Sequence, residues 1–312
     1  MNILVTGSKG VIGQKLVREL TDRGHDVFGI DLFHAPGECG YIQEMSSEDY
    51  YCRCDISEYR QIERIFTRGF DIVYNCAAEF GRWNGEDYYE QLWKSNVIGL
   101  KNILQLQERY GFKLIHFSSS EIYGDYPGVM SEGITEVTEI KQLNDYALSK
   151  WTNEIQIRNS MSLFNSESVI VRLFNTYGPG EFYHPYRSVN CKFCYHALHN
   201  LPVKIYKGYY RTSTFIDDCV RTLANISDNF ISGRIYNIGS SEYHSIKALA
   251  DIIWQYTDAP IALLDYIESE VLTTKIKKVD VTLATKELGH KDTVTLSDGV
   301  KMTIDWMKGY YK

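Results

Sequence analysis

The sequence predicts an α/β fold, a doubly wound parallel sheet followed by a smaller C-terminal α/β region, and three observations carry this reading. Through the first half, short β-type apolar runs alternate with stretches of helical periodicity, the pattern of repeated βαβ units. Runs such as "ILV" (3–5) and "VIV" (169–171) do not alternate apolar with polar residues, as expected of strands covered on both faces. The first run is joined to the first helical stretch by a glycine-rich turn, "TGSKGVIG" (6–13).

Taken in order, "NILVTG" (2–7) is a strand and leads into a helix from about Val11 to Arg23. "HDVFGID" (25–31) is the second strand, and a helical stretch around 58–68 precedes the third, "FDIVYNCAA" (70–78). One long helix is expected over about 87–109, followed by the strand "FKLIHFSSS" (112–120). A helix carrying Tyr146 and Lys150 runs to about 163, and "SVIVRLFN" (168–175) is the next strand. After "NTYGPG" (175–180) the rhythm changes. Tyr and His become frequent, and "LPVKIYKG" (201–208) and "GRIYNIGS" (233–240) read as isolated strands. The expected division is a sheet domain over 1–175, rejoined by a segment near 212–240, and a smaller domain over 176–312. "LSDGVKMTIDWMKGYY" (296–311) closes the pattern as a helix with Ser297 as its cap.

The 312 residues are 44% hydrophobic and 23% charged, an ordinary globular balance. A net charge of −7 offers no basic footprint for nucleic acid, so an anionic ligand needs local positive groups. No apolar run approaches the ~18 residues of a membrane span. Strand-like sequence starts at Asn2, which leaves no room for a signal peptide and makes a cytoplasmic location the default expectation. Seven cysteines, an odd number, are expected as free thiols, with Cys52/Cys54 and Cys191/Cys194 the close pairs. Cys191 and Cys194 share one face of a helical stretch, so no metal is expected there.

The chemistry begins at the glycine turn. Gly7 permits the tight turn, Gly10 lets a pyrophosphate approach the backbone, and Gly13 packs helix against strand. Val11 and Ile12 open the helix whose N–H groups would face the anion. Asp31 ends the second strand. A carboxylate there accepts from a ribose 2′-hydroxyl and repels a 2′-phosphate, which favours NAD over NADP. Tyr146 and Lys150 stand four apart on one helix face. In a cleft, an ammonium near a phenol lowers the phenol's pKa and makes a general base.

The glycine spacing is three and three. With it, "CDI" (54–56), "NCAA" (75–78), Asn96 in "SNVIGL", "SSSEIYG" (118–124), Tyr146 with Lys150, "RLFNTYGPG" (172–180), "RTSTFIDD" (211–218) and "NIG" (237–239) cover most of the chain. Together they resemble the short-chain dehydrogenase/reductase superfamily, in its extended, sugar-nucleotide-modifying branch. The resemblance implies a Rossmann-type domain with NAD held by the glycine turn, Asp31, Asp55, Ile56, Ala77, Ala78, Asn96, Tyr146 and Lys150. It implies that Lys150 depresses the pKa of Tyr146, that Ser119 orients a sugar 4-hydroxyl, and that Tyr146 takes its proton as C4 gives a hydride to NAD⁺. Arg211 matches the family's phosphate-binding arginine, with Asn175 in the same region. Ser213 stands where the family usually has an aromatic residue. Pairing as a homodimer through helices near 87–109 and 144–163 is likewise implied; an apolar stripe there includes Leu92, Val97 and Leu100.

The pair Ser120–Glu121 bears on the step after C4 oxidation. A carboxylate near C5 can remove the acidified proton and expel water from C6, so a 4,6-dehydratase is the favoured expectation, with Glu121 as base. A uronate decarboxylase, which needs cations near the sugar carboxylate, and a 4-epimerase are the alternatives; Arg187 and Lys275 are the cations considered. A non-catalytic NAD-sensing scaffold is the alternative from another class, against which stands the joint presence of Tyr146, Lys150 and Ser119. "EFYHPYRS" (181–188) reads by default as a Tyr-rich packing loop, and "WNGEDYY" (83–89) as a substrate-side loop.

Overall fold

The computed structural model describes residues 1–32 and 50–311. Among them, seven strands form one parallel sheet: β1 Asn2–Thr6, β2 Asp26–Asp31, β3 Tyr51–Arg53, β4 Ile72–Asn75, β5 Lys113–Ser119, β6 Ser168–Leu173 and β7 Ile235–Ile238. Across the sheet they run β7-β6-β5-β4-β1-β2-β3. Chain order therefore reverses between β1 and β4, and a crevice opens beyond their C-terminal ends.

Residues on successive positions of β1 enter different cores, which is why "ILV" shows no alternation. Ile3 and Val5 join the cluster that includes Leu16 and Leu20 of the first helix, Val11–Asp22. Leu4 joins the opposite cluster with Ile30, Val73 and Leu100. Each face is covered by helices, as a parallel sheet requires.

Four differences from the sequence expectation have local causes. The three-residue strand β3 has no counterpart in that expectation; it is an edge strand too short to show a period, registered on β2 as Ile30 against Cys52. The 233–240 stretch is not isolated, since β7 pairs with β6 from Ile235↔Ile170 to Ile238↔Leu173. The long helix expected over 87–109 is broken into Arg82–Asp87, Tyr89–Trp93, a π-helical turn Lys94–Ile98, and Gly99–Tyr110. Tyr88 leaves helical space (φ −129°, ψ 52°), and the π turn rotates Asn96 inward. The last helix, Leu296–Tyr310, is capped by Thr295, whose Oγ1 accepts from Asp298 N at 3.1 Å; Ser297 lies inside it.

The second half is built from short two-stranded pieces. Val203–Tyr206 pairs with Leu264–Ile267, and Tyr210–Thr212 with Tyr243–Ser245. Lys278–Val279 pairs with Val129–Met130, just beyond the β5 end. These pairings hang the 268–277 segment over the sheet's C-terminal edge. Cys191 and Cys194 are buried on the helix Val189–Leu198, and every described thiol is free; Cys39 lies outside the described residues. Among the described residues, no helix is long and apolar enough to cross a membrane.

Candidate active site

A cleft of about 1100 Å³ lies at the crevice between β1 and β4 and continues under the second half. Every site residue singled out from the sequence lines it except Asn96.

At one end the glycine turn forms a bare backbone cradle. Gly7 adopts φ +66°, and Gly10 N donates to Gly7 O at 3.0 Å. A Cβ on Gly13 would sit 2.1 Å from Gly7 O, and one on Gly7 would sit 2.8 Å from the Ala77 backbone. Only hydrogen fits at either position. Asp31 is fixed facing this turn: its Oδ2 accepts from Lys9 N at 2.8 Å and its Oδ1 from Leu32 N at 2.7 Å. Asp55 Oδ1 accepts from Ser57 N (2.8 Å) and Ser57 Oγ (2.6 Å), which shapes the "CDI" turn on the cleft wall. Glycines that admit an anion, a helix N-terminus behind them and a carboxylate at the end of β2 fit a dinucleotide whose ribose hydroxyls need an acceptor.

Asn96 acts from behind the wall. Its Oδ1 accepts from Glu79 N at 2.8 Å, and its Nδ2 donates to Glu79 O (3.1 Å) and Ser149 Oγ (3.0 Å). The buried amide thus clamps the loop leaving β4 to the helix Asp145–Phe164. In this structure its side chain serves as a clamp, since the π turn points it at the backbone of that loop.

Tyr146 and Lys150 lie on the first turns of that helix, as their spacing required. The charge relation between them differs from expectation. Lys150 Nζ donates to Phe117 O at 2.8 Å and stands 5.9 Å from the Tyr146 ring centre. Burial lowers Lys150 to about 8. Burial also raises Tyr146 to about 12; the Glu121 carboxylate adds to this and a hydrogen bond with Ser119 opposes it. The phenol is therefore held protonated by these surroundings, and an added positive charge is what would release its proton.

Beyond Tyr146 the cleft changes character. Ser119 ends β5, accepts from Glu121 N at 3.2 Å and starts the turn Ser120–Tyr123 that aims Glu121 into the cleft. Glu121 is ion-paired with Lys277, which is buried. Burial alone would raise Glu121, but Lys277, with Arg82 and Arg211 near, holds it at about 2. Burial in turn lowers Lys277 to about 8, against the pull of Glu121. Asn144 ties the pair into place. Its Oδ1 caps the helix Asp145–Phe164 by accepting from Ala147 N at 2.8 Å, while its Nδ2 donates to Leu272 O at 2.9 Å and reaches Glu121 Oε2 at 3.5 Å.

Arg211 spends its donors on Tyr210 O (2.8 Å), Lys275 O (3.0 Å) and Thr273 Oγ1 (3.2 Å), and burial lowers it to about 10. Asn175, at φ +37°, lines the same wall. Of the two cations considered for a sugar carboxylate, Arg187 is in the cleft with its guanidinium 4.0 Å above the Phe80 ring, whereas Lys275 is exposed and away from it. Lys277 and Arg82 were missed. Arg82 immediately precedes the "WNGEDYY" loop, and that adjacency was the one signal available. The "EFYHPYRS" loop packs as expected, with Tyr183 stacked on Tyr195 at 3.8 Å, and Tyr183, His184 and Tyr186 also line the cleft.

The sequence model of the NAD dependent epimerase/dehydratase family matches residues 3–239. The chain is 28% identical to the UDP-N-acetyl-alpha-D-glucosaminuronate decarboxylase of Bacillus cytotoxicus, over 98% of this chain and 97% of that one. It is 25% identical to the dTDP-glucose 4,6-dehydratase of Salmonella typhimurium, over 98% and 92%. Among solved structures, the UDP-glucuronic acid 4-epimerase of Bacillus cereus, in complex with UDP-glucuronic acid and NAD, superposes with a TM-score of 0.85 at 26% identity, covering all of both chains.

Proposed function

This chain belongs to the NAD dependent epimerase/dehydratase family and takes NAD as its cofactor; on that premise we propose that it oxidises C4 of a nucleotide-diphosphate uronic acid and that the keto acid so formed loses CO₂. The observation that carries this is the buried Glu121–Lys277 pair. Elimination would ask Glu121 to accept the C5 proton, and a carboxylate held at about 2 is a weak base. Lys277, held at about 8, is well matched as a proton donor near neutral pH.

NAD⁺ in the crevice supplies the hydride acceptor and a ring cation. The protein's own groups do the rest. Ser119 orients the 4-hydroxyl, and Tyr146 Oη receives its proton as the C4–H bond breaks. Lys150, which lines the cleft and is anchored on Phe117 O, would hold the ribose of the nicotinamide. The C4 ketone is β to the C6 carboxylate, so the C5–C6 bonding pair flows into the carbonyl as CO₂ leaves. Lys277, which stands behind the cleft-lining Glu121, is then the source of the proton taken up at C5, with Glu121 holding the ammonium beforehand. Return of the hydride to C4 and of the Tyr146 proton to O4 would leave a pentose lighter by one CO₂.

Purified protein is incubated with UDP-, dTDP-, GDP- and CDP-linked hexoses and uronates, and product masses are followed. A uronate product lighter by one CO₂ is the expected result. Loss of water from a neutral hexose, with uronates untouched, would return the reading to Glu121-driven elimination. Unchanged mass with altered sugar stereochemistry would make it an epimerase.

The same reading includes a homodimer. Leu92 and Leu100 are buried within the chain, so that part of the expected stripe faces inward. Ile98, Leu148 and Ile155 are exposed at 51%, 41% and 42%, and the last two share a helix face seven residues apart. Sedimentation tests the pairing, and charged residues at 148 and 155 are expected to give monomers.

A further inference from the structure

We propose that Arg82 recognises the carboxylate of the sugar and so sets the preference for a uronate over a neutral hexose; this rests on the decarboxylation reading and adds a specificity residue to it. Arg82 opens the short helix Arg82–Asp87, next to Gly81. Gly81 has φ +94°, and a Cβ there would meet Tyr186 O at 2.9 Å, so the turn is pressed against the loop beneath it. Tyr186 Oη donates to Asp87 Oδ2 at 2.5 Å and fixes the other end of the helix. The guanidinium is consequently held in the cleft rather than swinging in solvent, with 22% of its side chain exposed.

Its position is the reacting end of the cleft. Arg82 is close enough to Glu121, Lys277 and Arg211 to bias the protonation of all three. Lys192 and Lys204 also line the cleft, on the helix Val189–Leu198 and the strand Val203–Tyr206, and Lys192 feels both Arg82 and Glu270.

The donors of Arg82 are only half used. Nη2 meets Glu270 Oε1 at 3.2 Å. Nη1 is buried, and among the described residues it has no hydrogen-bond partner. A buried donor without an acceptor is uncommon and asks for an explanation. A planar guanidinium takes a carboxylate through two parallel N–H···O bonds, and Glu270 approaches only the Nη2 side of that fork, as an ion pair. A sugar carboxylate entering from the cleft supplies an acceptor for Nη1 and competes with Glu270 for Nη2. Glu270 precedes Leu272, a non-glycine residue at φ +64° whose carbonyl is gripped by Asn144, so the segment carrying Glu270 is held against the catalytic helix cap.

Calorimetric titration of the NAD-loaded protein tests this with three probes per nucleotide: the bare diphosphate, the glucose conjugate and the glucuronate conjugate. The UDP and dTDP series are run in parallel, and the series whose bare diphosphate binds is read. Wild type is expected to favour the glucuronate. Arg82→Gln should cut that preference by about 10- to 100-fold while leaving the bare diphosphate within about twofold, as expected for one charged hydrogen-bonding partner. Equal losses on all three probes would overturn the assignment, because Arg82 would then serve the phosphates or the fold. That outcome leaves the decarboxylation reading standing so long as wild type still prefers the uronate. Absence of the preference in wild type would instead sink that reading. Glu270→Gln is the second variant should R82Q not fold. Removal of the competing carboxylate should tighten glucuronate binding and leave the glucose conjugate unchanged; weaker glucuronate binding would count against the proposal.

Discussion

The two ends of the cleft are built on opposite plans. The dinucleotide end is a contiguous backbone feature: Gly7, Gly10 and Gly13 lie within one turn, and Asp31 closes the next strand. Its specification is steric, since a Cβ at Gly13 would overlap Gly7 O at 2.1 Å. The sugar end is assembled from Arg82, Glu121, Arg211, Glu270 and Lys277, which come from four distant parts of the chain. Its specification is electrostatic. Steric requirements act on neighbours in sequence and leave a motif. Charge requirements act through space and leave none.

That contrast can be broken at four points. Tyr146→Phe removes the proposed proton acceptor along with its hydrogen bond to Ser119, so turnover is expected to fall by about 10³-fold while NAD binding, read by fluorescence titration, changes little. A variant with normal turnover would remove Tyr146 from the mechanism. Lys277→Gln should lower turnover by about 10²-fold, and it sharpens the comparison through pH. Lys150 and Lys277 are both lowered to about 8 by burial, so each loses its proton as pH rises through that value. Wild-type activity should fall on that side with the slope of two ionisations, and the variant with the slope of one. An unchanged slope would show that Lys277 is not titrating in the reaction. Gly13→Ala tests the steric end: NAD affinity is expected to drop about tenfold and stability by about 1–3 kcal/mol, with melting temperature as the second readout. Asp31→Asn is the mildest change. It should leave NAD bound and narrow the preference for NAD over NADP by several-fold, because the repulsion of a 2′-phosphate is lost.

The ion pair at the sugar end does little for stability. Glu121 has its folded pKa depressed to about 2, so its stabilisation is present above its ordinary value near 4.5 and fades as pH falls toward 2. Lys277 is also depressed, to about 8, which is a cost present below that pH and relieved as pH rises from 8 toward 10.5. Near neutrality the two oppose each other, as burial of an ion pair generally implies.

Sequence alone revealed the sheet, the glycine turn and the Tyr146–Lys150 face, because each is a short-range pattern with one structural solution. It did not reveal β3 or the break in the 87–109 helix. Edge strands of three residues carry no period, and the π turn at Asn96 answers to a contact with Glu79 across a loop. Glu121 was legible as a site residue; its partner was not. Lys275 and Lys277 sit two apart in the same segment, and what separates them is the ion pair of Lys277 with Glu121, 156 residues away in sequence. Lys150 was expected to tune Tyr146 from its spacing, yet the Phe117 carbonyl takes its ammonium, a contact that crosses from helix to sheet.

Asn144 joins what the chain keeps apart. The oxygen of its amide starts the helix that carries the phenol, and the nitrogen holds both the 268–277 segment and the carboxylate of Glu121. A helix cap is worth about 1 kcal/mol, so displacement of that segment loosens the first turn beneath Tyr146. On the proposed reading, a single planar side chain that touches no reacting atom links the helix of the phenol to the wall that holds Glu121.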